Sequence, residues 1–284
     1  MLNFEEQMKQ FIENALREDI GDGDHSSLSC IPPGMKGRGL LKIKEAGVLA
    51  GMRVAEEIFR FLEPGAGFFP LKKDGEIMFA ENGAYEFEGG VHTILKCERL
   101  VLNCMQRMSG IASLTRQYVD LLKPFHTRVL DTRKTTPNFR ILEKEAVRIG
   151  GGYNHRMGLY DMIMLKDNHI DYSGGLENAI ENAYSYVQTK KPGLKIEVET
   201  RNLEEVKRAV ATGKVDRIMF DNFEPSRIVE AMQIVQNRCE TEASGGINLF
   251  NVIDYARTGV DFVSVGAIIH HAVSLDLSLK ASPI

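Results

Sequence analysis

Several familiar signatures are missing from this chain, and each absence narrows what it can be. Its four cysteines, Cys30, Cys97, Cys104 and Cys239, form no C-x-x-C pair and have no zinc-like spacing with histidine. Neither a disulfide framework nor a structural zinc knuckle is expected, and reduced, mostly buried thiols in a cytoplasmic protein fit better. No run of about 18 apolar residues occurs, and the acidic start MLNFEEQMKQFIENALRED lacks the apolar stretch of a leader. No membrane partner is expected. A Walker A loop, a dinucleotide fingerprint and a G-x-S-x-G elbow are all absent, so the usual nucleotide-binding and serine-hydrolase motifs do not apply. An excess of positive charge is lacking too: the net charge is −4, where a general nucleic-acid binder would show a basic domain or stripe.

What is present is an uneven charge distribution. Residues 99–166 carry 12 Lys and Arg against 5 Asp and Glu, while the flanks 1–98 and 167–284 are net −6 and −5. Cations crowded in one segment repel unless an anion sits among them, so a small polyanionic ligand is expected near Arg133, Lys134, Arg140, His155 and Arg156. Arg116, Lys123, Lys144 and Arg148 read instead as solvated helix faces.

Hydrophobic spacing gives a helix over 4–16, then a loop at GDGDHSS, read as a structural turn because it lacks the glutamate spacing of a calcium loop. Short apolar runs from 36 to 90, with a helix near 52–62, read as a small α+β unit. A long helix is expected over 92–122. Beyond 125, six apolar runs (TRVLD, DMIMLK, KIEVET, DRIMFD, ETEAS, DFVSVG) alternate with segments mostly of helical length, which predicts a parallel sheet and suggests a TIM-like barrel. A doubly wound open sheet is the alternative. The ending AVSLDLSLKASPI alternates like a last strand returning to the first domain.

Each of the six strands ends in polar residues: Asp131-Thr132-Arg133-Lys134, Lys166, Glu199, Asp221, Ser244-Gly245-Gly246, and Ser264 with Gly266. In a parallel barrel these ends share one face, so they form one expected site. The glycine loops of SGGI and SVGA (Ser244, Gly245, Gly246; Val265, Gly266, Ala267) suit a phosphate. Glu199 and Asp221 suit a ribose hydroxyl, Mg²⁺ or a developing sugar cation. His155 is read as a neutral donor to a carboxylate. Lys166 could also form a Schiff base, which would make this an aldolase-like barrel.

The segments EDIGDGD, ERLVLNCMQRMSGIAS, DTRKTTP, GGGYNHRMGLYDMIMLKDNHI, EVET, MFDNF, SGGI and SVGA together resemble the quinolinate phosphoribosyltransferase family, from about residue 15 to 270. The resemblance implies an incomplete TIM-like α/β barrel (113–271) with an N-terminal α/β sandwich domain (1–112, joined by 272–284). It implies a pentosyltransferase of NAD biosynthesis: quinolinate and 5-phosphoribosyl 1-diphosphate (PRPP) give nicotinate mononucleotide, CO₂ and diphosphate, with Mg²⁺ as cofactor. By motif position, Arg133, His155 and Arg156 would hold the quinolinate carboxylates, with Arg99 contributed by the neighbouring subunit of a homodimer whose site is shared. Assembly of dimers into hexamers stays open. Lys134 and Lys166 would face diphosphate or carboxylate, Glu199 and Asp221 the ribose and its metal, and Thr132 and the two glycine loops the rest of the substrates. Glu199 is preferred to Glu197, which faces the same way, because it is nearer the strand end. Asn138-Phe139 departs from the glycine many relatives carry there, and asparagine tolerates the left-handed turn this needs. A nicotinate phosphoribosyltransferase or related paralogue of the same fold is the alternative, and a non-catalytic sensor of phosphorylated metabolites a third.

Overall fold

A computed structural model describes residues 3–284; Met1 and Leu2, the first residues of the expected N-terminal domain, lie outside the described residues. The chain divides into two compact units, 1–116 with 135–151 and 268–284, and 117–134 with 152–267.

The first unit starts with α1 (Phe4–Ile20), which buries Met8, Ile12 and Leu16 at helical spacing and begins in a capping box between Asn3 and Glu6. It runs four residues beyond the expected end and stops at Gly21, where φ is +56°. GDGDHSS then serves as a helix start, as Asp24 accepts from Ser27 N–H at 3.1 Å to cap α2 (His25–Cys30). Strands β1 (Lys36–Ile43) and β2 (Gly47–Val48) lead to α3 (Met52–Leu62), followed by β3 (Gly67–Pro70), β4 (Ile77–Met78) and β5 (Gly83–Gly90). β5 passes into the long α4 (Val91–Leu122). The main sheet is antiparallel, in the order last strand, β1, β5, β3. That last strand, residues 277–283, pairs with β1 along its whole length, so the end of the chain completes the sheet of the first unit. Phe59 of α3 stacks on Phe87 of β5 with ring centroids 4.0 Å apart, at the centre of its core.

The second unit begins its sheet at β6 (Arg128–Leu130). The chain then returns to the first unit for α5 (Arg140–Ile149), whose Ile141, Leu142, Ala146 and Val147 are buried there. Residues 135–151 thus belong to a different unit from the barrel segments that flank them in sequence. The expectation of a solvated Lys144 fails, since its side chain is fully buried in α5. Arg116 is also not free in solvent, donating to Gly150 C=O at 3.0 Å, whereas Lys123 and Arg148 are exposed.

From 163 onward strands and helices alternate: β7 (Ile163–Leu165), α6 (Asp167–Tyr172), α7 (Leu176–Lys190), β8 (Ile196–Thr200), α8 (Leu203–Ala211), β9 (Arg217–Asp221), α9 (Pro225–Val235), β10 (Glu240–Ser244), α10 (Val252–Arg257), β11 (Phe262–Ser264) and α11 (Ala267–His270), before β12 (Leu277–Pro283). The six parallel strands lie in the order β6, β11, β10, β9, β8, β7. Read from β7, every neighbour is next in sequence until β11 meets β6. That cyclic order is a barrel's, left open between β6 and β7; a doubly wound sheet would reverse direction at its middle. Among the described residues, no helix is long and apolar enough to cross a membrane.

Candidate active site

All six strands point the same way, so their C-terminal ends open on one edge of the sheet. There a cavity of about 400 Å³ is lined by Thr132, Arg133, Lys134, His155, Arg156, Lys166, Glu199, Asp221, Ser244 and Ser264, with Met164 and Met219 as its apolar floor. Residues from six strand ends and the 152–162 loop therefore converge, although 132 positions separate the first from the last.

The cationic side is built from β6 and the loop after it. Asp131, fully buried at the end of β6, accepts from His155 N–H at 2.9 Å through Oδ1, while Oδ2 takes the Asn154 amide. This ties the YNHR segment to the DTRK segment and explains why the two cationic stretches meet. Thr132 Oγ1 accepts from Lys134 N–H at 3.0 Å, which shapes the turn presenting Arg133 and Lys134. Arg133 Nε is buried without a hydrogen-bond partner. Arg156, 9% exposed, donates from Nη1 to Met162 C=O at 3.2 Å, and burial together with the nearby Arg133 lowers its pKa. The buried Arg156 and the half-buried Arg133 side by side form a pocket that an anion would stabilise.

The acidic side faces it. Glu199, on β8, receives Lys166 Nζ at 3.0 Å on Oε2. Asp221, at the end of β9, is held by Asn222, whose side-chain amide donates to Oδ2 at 2.8 Å. Asn222 adopts a left-handed φ of +56°, which asparagine tolerates and branched residues do not. Gly245 at φ +101° sits against it, and any Cβ there would run into Asn222 Oδ1. Gly245 is thus required for the arrangement of the neighbouring strand end as well as for its own turn.

Arg99 and the glycine-loop residues Gly245, Gly246, Val265, Gly266 and Ala267 are not among the residues lining this cavity. The glycine loop after β10 does not lead straight into a helix, since α10 starts only at Val252 and Asn248 and Asn251 side chains donate to Gly246 C=O in between. After β11, Val265, Gly266 and Ala267 run into the four residues of α11, with Val265 N–H bonded to Leu130 C=O at 3.0 Å. Arg99 lies on α4 in the first unit, where it lines a different hollow of about 380 Å³ with Phe11, Glu18, Asp19, Asn103 and Phe139.

Sequence reasoning passed over Asn222 and Glu242. Glu242 sits on β10 one same-face step below Ser244, fully buried, and Ser264 Oγ donates to its Oε1. Burial raises the carboxyls of both Glu242 and Glu197 to about 7, with each raised partly or lowered by its charged neighbours. The signal was available in the alternation of ETEAS and IEVET, which places carboxylates at successive inward positions.

An open β/α barrel with a mixed cationic and acidic cavity at its strand ends defines a class of proteins that handle small polyanionic substrates. Comparison with known proteins narrows this. The quinolinate phosphoribosyl transferase N-terminal domain matches residues 24–109 and its C-terminal domain matches residues 111–280. The chain belongs to the quinolinate phosphoribosyltransferase family. It is 40% identical to the chloroplastic nicotinate-nucleotide pyrophosphorylase (carboxylating) of Arabidopsis thaliana, covering 96% of this chain and 82% of that one. It is 41% identical to a probable nicotinate-nucleotide pyrophosphorylase (carboxylating) of Synechocystis, covering 95% and 91%. The crystal structure of NadC from Streptococcus pyogenes superposes with a TM-score of 0.91 at 39% identity, covering 98% and 97% of the two chains.

Proposed function

We propose that this protein transfers the phosphoribosyl group of PRPP to the ring nitrogen of quinolinate, with loss of the 2-carboxylate, giving nicotinate mononucleotide, CO₂ and diphosphate for NAD biosynthesis. The observation that carries this reading is one cavity with the Arg133 and Arg156 guanidinium groups on one side and Glu199 with Asp221 on the other. A dicarboxylate matches the first and a ribose in transit the second.

Arg133 and Arg156 orient the planar diacid, and fixing it against the sugar removes much of the entropic barrier to attack. Glu199 and Asp221 stabilise the positive charge that grows on the ribose as diphosphate departs. Lys134 and Lys166 offset the charge of the leaving group, and the SGGI and SVGA loops receive the 5′-phosphate. Once the nitrogen is alkylated, the ring is a cationic electron sink, so decarboxylation requires no organic cofactor. Glu199 and Asp221 are hard oxygen donors, and Mg²⁺ characteristically takes one or two such carboxylates, with water and substrate phosphate filling its other positions. The residues fit Mg²⁺, which when bound would neutralise charge on the departing diphosphate. We further assign a homodimer in which Arg99 of one protomer completes the other's site, and a cytoplasmic setting, supported by four free cysteines of which Cys97 and Cys104 are buried with thiols pushed up to about 12.

Incubation with quinolinate, PRPP and Mg²⁺ tests the reading. CO₂ and nicotinate mononucleotide are expected in equal amounts, and the absence of CO₂ would overturn it.

A further inference from the structure

His155 lines the cavity, yet both of its ring nitrogens are engaged away from it. Nδ1 accepts a hydrogen bond from the Arg156 backbone N–H at 2.7 Å. A backbone N–H can only donate, so Nδ1 bears the lone pair and the ring's proton belongs on Nε2. Nε2 lies 3.0 Å from Glu197 Oε2 and 3.5 Å from Glu242 Oε2.

These two acids lie one same-face step beneath Glu199 and Ser244, and both are fully buried. Glu242 is fixed by Arg217 Nη1 at 2.9 Å and by the Ser264 hydroxyl. Arg217 is held in turn by Glu240 through Nη2 at 2.9 Å. Glu197 has no such anchor: neither of its oxygens has a hydrogen-bond partner, and its close polar contact is the ring's Nε2 at 3.0 Å.

The ligand atoms of His155, Glu197 and Glu242 lie within 4.8 Å of one another, a spacing compatible with a metal ion. The hydrogen bonding argues against one. The nitrogen facing the carboxylates is the protonated one, and Arg217 already occupies Glu242 Oε2.

We propose that Glu197 and Glu242 are positioning residues, which act through the His155 ring to fix Arg156 in its place against the substrate. The acid pair faces the Nε2 side of the ring, this keeps the Nδ1 lone pair against the Arg156 N–H, and the Arg156 side chain is thereby set at the cavity wall. His155 is then a positioning residue as well. The proposal rests on the reading of the cavity as a quinolinate site.

Two variants separate positioning from general structural support. Glu197→Gln keeps the volume and an oxygen acceptor; Glu197→Met keeps the volume and removes the acceptor. The Met variant should raise the quinolinate KM about tenfold, the loss of one charge-assisted hydrogen bond, with the PRPP KM changed less than about twofold. The Gln variant should recover most of the loss. In an Arg156→Ala background, Glu197→Met should add nothing, because the two act in series. Equal damage to both KM values, no recovery by Gln, or full additivity with Arg156→Ala would overturn the proposal. Wild-type turnover of quinolinate tests the functional reading separately. Independently of any activity, ¹⁵N–¹H correlation spectra of the histidine rings, with His155 identified by its loss in His155→Gln, should show the Nε2–H tautomer. An Nδ1–H tautomer or a doubly protonated ring at neutral pH would overturn the proposal even in an active enzyme.

Discussion

Replacing Glu242 with Gln should make the protein's stability less sensitive to pH. In the folded protein the Glu242 carboxyl is pushed from its ordinary value of 4.5 to about 7, first by burial and then by Glu197 beside it. Glu197 is raised to about 7 by the same burial, opposed by Arg217 and Arg156. Because the two share their protons, the penalty is counted once for the pair. Below about pH 4.5 the carboxyl is protonated whether the chain is folded or not, and no penalty arises. Between there and pH 7 the unfolded chain releases a proton that the folded chain keeps, so the unfolding free energy falls as pH rises. Above pH 7 the full penalty remains, about 3 kcal/mol for a shift of this size. Gln at 242 cannot ionise, while Glu197 stays buried and keeps its own share of the penalty. Loss of the charge-assisted bond from Arg217 lowers stability by an amount that hardly varies with pH, since Arg217 keeps Glu240 at 2.9 Å. The difference between variant and wild type should therefore move in favour of the variant from pH 4.5 to 8, by at most about 3 kcal/mol. Urea unfolding followed by circular dichroism at several pH values measures it. A difference that stays constant across the range would show that Glu242 adds no burial penalty of its own and would refute the reasoning.

Nicotinate, with one carboxylate fewer, leaves a buried guanidinium unpaired, and its kcat/KM should fall about a hundredfold or more below that of quinolinate; comparable turnover would remove the dicarboxylate assignment. Glu199→Ala or Asp221→Ala should lower kcat far more than it weakens quinolinate binding, because the sugar's charge appears mainly in the transition state. Titration calorimetry beside steady-state kinetics measures both, and an unchanged kcat would rule out the role. Mixing inactive Arg99→Ala with inactive Lys166→Ala should restore roughly a quarter of wild-type activity, since about half of randomly paired dimers are mixed and each of these has one intact site. No recovery after verified subunit exchange would place Arg99 outside a shared site.

How much of this was legible in the sequence depends on where each residue's partners lie. The strand ends were readable because a parallel sheet gives all its C-termini to one edge, so Lys166, Glu199, Asp221 and Ser244 could be grouped without knowing which strands are neighbours. The 135–151 segment was not. It sits between two barrel strands in the chain, yet buried Glu143 on α5 takes Arg107 of α4 at 2.9 Å and accepts from Thr136 N–H at 2.8 Å, contacts that no local pattern announces. Lys144 was misread for the same reason, as a charged residue on a helix whose neighbours were assigned to the wrong unit.

The inner acids mark the boundary between the two cases. The alternation of β8 puts Glu197 and Glu199 on one face and Ile196 and Val198 on the other, and that much is visible in IEVET. What separates their roles is depth. Glu199 reaches the cavity and Lys166, while Glu197 is closed off beneath it against His155. Depth follows from strand order, because only when β9 lies between β8 and β10 does Arg217 stand opposite both Glu197 and Glu240. A barrel layer of this kind is ordinarily filled with branched apolar side chains contributed by alternate strands. Here β8 and β10 contribute Glu197 and Glu242, whose burial is tolerable only with Arg217, Ser264 and His155 around them. An apolar layer would avoid that penalty and would leave the His155 ring with no carboxylate opposite its Nε2, so the acids beneath the cavity are intelligible as support for the cations above them.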